Sequence, residues 1–348
     1  MEKDLKQRVE DKLNQGLLGL WYIVAKSSDV KSGRPYPVKA LNRNLVLWRA
    51  TDGAIKCIED YCPHRGAKLS AGQVEGDYVA CRYHGVELDG KGVVQRVPAY
   101  PNCALEGRKA VDAYDVFESN NAVFAFFPSA ERPIAAAPTL PYELTNNEYA
   151  TFLTTSVWRC NYRYALENVA DPMHGPYLHG DTFTLSGGVK QDEVELTTEE
   201  DGFIVARKAQ QGENFDWAQI VTEAGLFYMR VNIPYPPAGG PGGIMRVVTC
   251  LTPIDENSCR IFFWRSRRVS GLAREAWRFM FRAALEERHW YVLEQDREML
   301  ESINPNARDR EMLYQHDIGV TRLRQILRSK AKAQIDAEDK IATVAATE

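Results

Sequence analysis

Two short segments, each opening on a cysteine and closing on a histidine, constrain this chain more than anything else in it. The first is Cys62-Pro63-His64, and sixteen residues later comes Cys81-Arg82-Tyr83-His84. Together they offer two thiolates and two imidazoles. Soft thiolates suit zinc or iron–sulfur clusters, and imidazole suits zinc or iron. A closed tetrahedral Cys2His2 zinc site is one use of such a set, although zinc sites more often pair Cys with Cys and His with His. Here each loop carries one of each. A two-iron cluster with two cysteines on one iron and two histidines on the other would draw one ligand of each kind from each loop.

A second, harder donor set lies downstream, at Asp171-Pro172-Met173-His174 and, after four more residues, His179. Two imidazoles and a carboxylate with other positions open form the facial triad of mononuclear non-haem Fe(II) sites. Asp171 and His174, three apart, would share a helix face. His174 and His179, five apart, lie roughly 140° apart on an ideal helix, so one straight helix cannot aim both at one ion. Pro172 and Pro176 interrupt regular helix in any case. The spacing predicts a helix from about residue 161 that kinks or ends near Pro172, with a bent segment carrying His179 back.

The first pair of segments resembles the Rieske [2Fe–2S] motif, C-x-H, sixteen residues, C-x-x-H. The flanking Arg65-Gly66, Tyr83, Gly85, Asp89 and Gly92 match it too. The stretch from Glu167 through Asn168, Asp171, Pro172 and His174 to His179 is similar to the iron motif of the Rieske non-haem iron oxygenases. It follows the cluster motif in the order of that family, and the resemblance runs from about residue 18 to about residue 328. It implies an α+β chain: an N-terminal all-β Rieske domain, then a catalytic domain of helix-grip-like antiparallel sheet with flanking helices. It further implies a [2Fe–2S] cluster on Cys62, His64, Cys81 and His84, and Fe(II) on His174, His179 and a distant carboxylate, with O2 as co-substrate. Electrons would come from NAD(P)H through a reductase, with or without a ferredoxin. The implied assembly is a homotrimer, in which Asp171 links His174 to His84 of the partner subunit. A ligating histidine usually gives its other N–H to such an acceptor, and head-to-tail contacts that complete a rotation close into a ring.

The third ligand is sought on a late helix expected over residues 272–303. Phe281, Leu285, Val292, Met299 and Leu300 form its core-facing stripe. Asp296 falls on that stripe, where a carboxylate is costly unless paired or bound to a cation. Glu294 and Glu298 lie about 200° away and are expected to face water. The run Glu294-Gln295-Asp296-Arg297 resembles the family's motif, with Gln295 where many members carry Glu. His289 is expected to be a hydrogen-bonded core histidine, and Asn168 a local hydrogen-bonding residue.

At 348 residues the chain is long enough for two cores. The boundaries expected are a helix over 1–17, the Rieske domain over 18–130, a linker over 131–142 within a Pro- and Ala-rich stretch, and the catalytic domain over 143–348. Short strands are expected at 21–24, 45–48, 55–58 and 122–127, and in the second domain at 152–158, 194–197, 203–207, 227–233, 245–251 and 260–264. A polar helix is expected over 322–337, with a frayed tail from 341. A net charge of −4 argues against nucleic acid or an anionic membrane as partner. No apolar run approaches the roughly 20 residues of a spanning helix, and residues 1–14 lack the apolar core of a secretory signal. Of seven cysteines, Cys57, Cys103, Cys160, Cys250 and Cys259 are expected as free, mostly buried thiols, which fits a reducing cytoplasm. The family reading points to a small apolar, aromatic substrate that is hydroxylated or oxidatively O- or N-demethylated. Cis-dihydroxylation, or electron carriage without oxygenation, is the alternative. The aromatics Phe215, Trp217, Phe227, Tyr228 and 262–264 and the Pro/Gly-rich loop 234–243 are candidates for a pocket or its connections. Arg65, Lys68 and Arg82 are expected either as a basic face for an acidic redox partner or as an ordinary solvated face.

Overall fold

The computed structural model describes residues 2–345 except 183–184, 186–188, 210–216, 236–242 and 305. The chain divides into two compact units. One is Leu18–Ala135 with Thr252–Asp255; the other is Met1–Leu17, Ala136–Leu251 and Glu256–Glu348.

The first unit is built from three small antiparallel sheets. β1 (Leu20–Lys26) pairs with β10 (Ala122–Phe127), and β10 pairs with β9 (Val116–Ser119). β2 (Tyr36–Ala40), β3 (Arg43–Arg49) and β4 (Ile55–Glu59) form a meander. β5 (Gln73–Glu75), β6 (Tyr78–Ala80), β7 (Glu87–Leu88) and β8 (Val94–Arg96) form the third sheet. β10 is buried at all six positions of its Ala-Val-Phe-Ala-Phe-Phe run, as a strand covered on both faces must be. β2 lies outside the strands expected from the sequence, because Pro37 and two charged or polar neighbours break its alternation. Its pairing is set by the turn: Leu41 and Asn42 both have positive φ (48° and 59°), the two-residue hairpin geometry that matches strand twist. A core of Val46, Trp48, Ile58, Leu69, Val79 and Leu88 closes around Cys62 and Cys81.

The second unit carries one seven-stranded antiparallel sheet in the order β11-β17-β16-β15-β14-β13-β12. The strands are β11 (Tyr149–Trp158), β12 (Val194–Thr198), β13 (Gly202–Arg207), β14 (Trp217–Val221), β15 (Tyr228–Tyr235), β16 (Gly243–Asp255) and β17 (Ser258–Arg268). β14 is one strand more than the sequence reading supplies; its five residues are too few for periodicity to stand out. The helices are α1 (Glu2–Gln15), α2 (Tyr142–Thr145), α3 (Tyr162–Val169), α4 (Gly175–Leu178), α5 (Gly271–Met280), α6 (Glu286–Glu301) and α7 (Ile318–Ala345). α5 and α6 are joined without a break by a π-helical turn at Phe281–Leu285. α7 is longer than expected at both ends and stays helical through Ala345 instead of fraying from 341. It lies along α1, tied by Arg8–Asp339 and Lys12–Glu338 ion pairs. This mixture of helices with a large antiparallel sheet is the α+β class expected.

Candidate metal centres

In the first unit the two Cys/His loops are built on the same turn. Cys62 donates its N–H to the Ala67 carbonyl and accepts at its own carbonyl from Gly66, both at 2.8 Å. Cys81 repeats this, donating to Val86 and accepting from Gly85, again at 2.8 Å. In each loop the glycine stands four residues after the cysteine and takes a positive φ, 74° at Gly66 and 73° at Gly85. A Cβ there would be strained, which is why both segments carry glycine at that offset. The twin turns bring like ligands together. The Cys62 thiol is hydrogen-bonded to Cys81, and neither is in a disulfide. The His64 and His84 rings lie with centroids 4.6 Å apart at 70°. Tyr83 packs on His84 at 4.0 Å, and the Arg65 guanidinium sits 5.5 Å from the Tyr83 ring.

Two observations test this set against a metal group. Burial pushes the Cys62 thiol up to about 11, so a thiolate there needs a bound cation to exist at neutral pH. His84 Nδ1 is buried and has no hydrogen-bond partner among the described residues, as a nitrogen directed at a metal would be. The four side chains do not gather as tightly as one ion requires. Tetrahedral zinc, with bonds of about 2.0–2.3 Å, holds its ligand atoms roughly 3.3–3.8 Å apart. Among the described residues only His174, His179 and Asp296 form a group of three or more ligating atoms within 4.8 Å of one another. Two thiols on one side and two imidazoles on the other, spread wider than one ion spans, fit a two-iron cluster.

The second set lies in the other unit. Asn161 caps α3, its side chain accepting from Arg163 N–H. The helix ends at Val169, ahead of Pro172, as the prolines predict. Asp171 then forms a turn with its side chain, Oδ1 accepting from the Met173 N–H at 2.8 Å. Its backbone carbonyl, not its carboxylate, accepts from His174 Nδ1, at 2.5 Å; the carboxylate Oδ2 stands 4.0 Å away. This assigns the proton to Nδ1 and leaves the Nε2 lone pair for a ligand. The single turn of α4 carries the chain on to His179, which is 2% exposed.

Asp296 arrives from α6, buried, and its Oδ1 lies 3.6 Å from His174 Nε2 and 3.2 Å from His179 Nε2. Ligands about 2.1 Å from one ion, at angles near those of an octahedron, are separated by roughly 3.0–3.5 Å. Burial alone would push the His179 pKa down, but the hydrogen bonds and charge of Asp296, with Gln295, outweigh it and hold the imidazole above its ordinary value. Asn168, expected as a local hydrogen-bonding residue, instead donates to Asp296 Oδ1 at 3.2 Å, across 128 positions of sequence.

Sequence reasoning missed what lies behind His179. Its Nδ1 donates to Gln295 Oε1 at 3.0 Å, Gln295 Nε2 donates to Asp181 at 2.8 Å, and Tyr291 Oη donates to the other Asp181 oxygen at 2.7 Å. The available signal was the glutamine beside Asp296. One face expectation is corrected: Met299 is 51% exposed, not on the core stripe with Phe281 and Leu300. The π turn at Phe281–Leu285 adds a residue to the helical repeat, so everything after it rotates relative to a straight helix drawn from Phe281.

A cavity of about 100 Å³ opens beside the triad. Strand alternation lines it: Val231 and Ile233 from β15, Met245 and Val247 from β16, Phe263 and Arg265 from β17. α6 supplies His289, Val292, Leu293 and Asp296, one helical face. Of the aromatics singled out from the sequence, Phe263 lines the cavity, whereas Phe262 and Trp264 point into core. Phe215 and most of the 234–243 loop lie outside the described residues.

A thiolate–imidazole pair of loops in one unit and a two-histidine, one-carboxylate cluster beside an apolar cavity in the other are the donor sets that a two-iron cluster and a mononuclear non-haem iron would take. Comparisons with known proteins agree. Residues 20–115 match the Rieske [2Fe-2S] domain, and residues 158–333 match the vanillate O-demethylase oxygenase C-terminal domain. The chain is 28% identical over 185 residues to the vanillate O-demethylase oxygenase subunit of Pseudomonas sp. (strain HR199 / DSM 7063), covering 52% of this chain and 49% of that protein. It is 32% identical over 174 residues to the terminal oxygenase component of carbazole 1,9a-dioxygenase from Metapseudomonas resinovorans, covering 49% and 44%. The chain spans about a third to a half of the length of the curated relatives it matches. The structure of dicamba monooxygenase bound to dicamba shares the fold at a TM-score of 0.74 and 22% identity, covering 92% of this chain and 100% of that one. The chain belongs to the Rieske oxygenase α-component family, with a Rieske domain followed by the vanillate O-demethylase-type oxygenase domain. The family's cofactors are a Rieske [2Fe–2S] cluster and a mononuclear iron, and the two donor sets fit them.

Proposed function

We propose that this chain is the terminal oxygenase of a Rieske system, hydroxylating or oxidatively demethylating an aromatic compound. The observation that carries the reading is the convergence of His174, His179 and Asp296 beside an apolar cavity, in a chain that also holds the Rieske loops. When bound, the cluster supplies electrons one at a time and the mononuclear iron supplies a site for O2 activation. Cys62, His64, Cys81 and His84 hold the first, and His174, His179 and Asp296 hold the second. The Asp171 carbonyl and Gln295 fix the two histidine tautomers, so that both Nε2 atoms face Asp296. The aliphatic wall keeps water from the reacting centre and seats the ring. Demethylation or hydroxylation ranks ahead of cis-dihydroxylation because the C-terminal domain model is that of a demethylase.

The working assembly is a homotrimer in which the Asp171 carboxylate accepts from His84 of the partner subunit. In support, that carboxylate is half-exposed in a surface cleft with Tyr177, Lys190, Tyr314 and His316, and both tyrosines are exposed. Electrons reach the cluster from NAD(P)H through a reductase or a ferredoxin; a solved relative of the same fold is an oxygenase–ferredoxin complex of carbazole 1,9a-dioxygenase. Exposed Arg65, Lys68 and Arg82 around the cluster loops suit an acidic donor. No helix among the described residues is long and apolar enough to cross a membrane. The unpaired buried cysteines suit a reducing compartment such as the cytoplasm.

The test is iron and acid-labile sulfide per chain in wild type and His174→Ala. Wild type should hold about three irons and two sulfides, falling to about two irons with sulfide unchanged in the variant. Two irons in both proteins, from fully loaded samples, would leave an electron carrier and no oxygenase.

A further inference from the structure

The sheet wall of the cavity changes character along one strand. On β16 the residues that line it are Met245, Val247 and Thr249, two apart and so on one face of the strand. Their partners on β15 are Ile233, Val231 and Met229. Met245 packs into an apolar cluster with Trp277 and Phe281. Thr249 stands four residues farther on, roughly 13 Å along the strand. It puts a hydroxyl where its neighbours put only carbon and sulfur.

That hydroxyl is the polar group of the wall that the protein leaves unused. Thr249 is 3% exposed, yet its Oγ1 makes no hydrogen bond to any described residue. Thr155 Oγ1 and Ser266 Oγ, elsewhere in the sheet, are sealed in the same unpartnered state; Thr249 instead opens onto the cavity. The other polar groups of the lining are committed. His174, His179 and Asp296 form the triad, and Asn168 donates to Asp296. Arg265 donates to Thr154, and His289 packs on the Phe281 ring with 5.7 Å between centroids. An unpartnered hydroxyl in a buried apolar setting is costly, and in small-molecule sites a few such groups set the orientation of the ligand. A hydroxyl donates and accepts but brings no charge, so it suits a neutral atom and would leave a buried ion uncompensated.

We propose that Thr249 is a specificity-determining residue of this cavity. Its hydroxyl hydrogen-bonds a neutral oxygen or nitrogen substituent at one end of an otherwise apolar substrate, and Val231, Val247, Ile233 and Met245 take the apolar remainder. The substrate then lies in one direction along the sheet, which fixes the carbon that faces the triad. The proposal deepens the oxygenase reading and rests on it for the reaction that follows binding, but not for the binding itself.

The experiment is calorimetric titration of the iron-loaded protein, without O2, with acetophenone and with α-methylstyrene, iron being counted in the same samples. The two probes have nearly the same shape. The first offers the hydroxyl a carbonyl oxygen, and the second has a CH2 group in its place. Thr249→Val should weaken acetophenone about fivefold or more and change α-methylstyrene by less than about twofold. Thr249→Ser, which keeps the hydroxyl, should keep most of the wild-type ratio between the probes. Thr249→Val should also melt no lower than wild type, because replacing an unpartnered hydroxyl by a methyl group of the same shape costs the fold nothing. Equal loss of both probes in Thr249→Val, an unchanged ratio, or no binding of acetophenone to wild type overturns the proposal. A Thr249→Val protein that melts well below wild type or does not fold also overturns it, since the fold would then be using the hydroxyl. The expected change of ratio in a protein with only about two irons per chain would uphold the hydroxyl site and sink the oxygenase reading instead.

Discussion

Gln295 holds His179 from behind, and it is itself held by Asp181, which Tyr291 braces. An acceptor on the far nitrogen fixes the tautomer and orientation of a metal-binding imidazole, and losing it typically costs tenfold to a hundredfold in metal affinity. Gln295→Leu should accordingly lose mononuclear iron to a chelator about tenfold faster than wild type or more, with labile sulfide unchanged. Gln295→Glu, which keeps an acceptor at the same place, should retain iron. Equal retention in the leucine variant would show that packing alone orients His179. At this scale, what the sequence made legible was chemistry that is local: cysteines and histidines at short spacing, and an acid on an otherwise apolar stripe. Gln295 was not legible as a site residue. A glutamine next to an acid acquires its role only when a partner more than a hundred positions away is packed against it.

The element that sets the triad is the short helix α3 together with what grips it. Glu167, buried, accepts from Arg324 of α7 at 2.7 Å and pairs with Arg308 at 2.9 Å. Gly319, at the start of α7, lies against the last turn so closely that a Cβ there would sit 2.4 Å from the Ala170 carbonyl oxygen. Ala170 is the residue before Asp171, so any shift is passed to the turn that aims His174. Gly319→Ala is expected to destabilise the protein by roughly 1–3 kcal/mol, since neither backbone can yield freely, and to lower iron relative to sulfide. A denaturant midpoint and metal content matching wild type would show that α7 can slide without disturbing the turn. Elements with a strong pattern, such as the continuous apolar run of β10 and the alternation of β13, were readable in advance, although their ends were not. The failures have separate causes: β2 is set by a left-handed turn, β5–β9 and β14 are too short for a pattern, and the face of α6 depends on a π turn that no apolar periodicity announces.

At the scale of the whole molecule, the trimer reading makes the two donor sets of different chains work on one another. Co-expressing His84→Ala with Asp171→Ala should then restore activity that neither variant has alone. Random mixing would make about a quarter of head-to-tail junctions productive, those joining an intact Rieske unit to an intact catalytic unit. Absence of any recovery in mixed assemblies, verified by mass, would mean that electrons stay within one chain. The trimer reading comes only from the family resemblance, because nothing in composition or periodicity encodes a rotation axis. One feature of the first unit bears on how such a chain can be cut and joined. Leu41 and Asn42 at the β2–β3 turn donate to the carbonyls of Pro253 and Ile254, and the buried Thr252 hydroxyl donates to the Ile23 carbonyl. The electron-transfer module is thus discontinuous in the gene: a fragment stopping at residue 135 leaves two backbone donors and a carbonyl without these partners. Grafting it onto another protein needs a second, remote splice, and recombination can exchange it intact only along with the downstream residues that complete it.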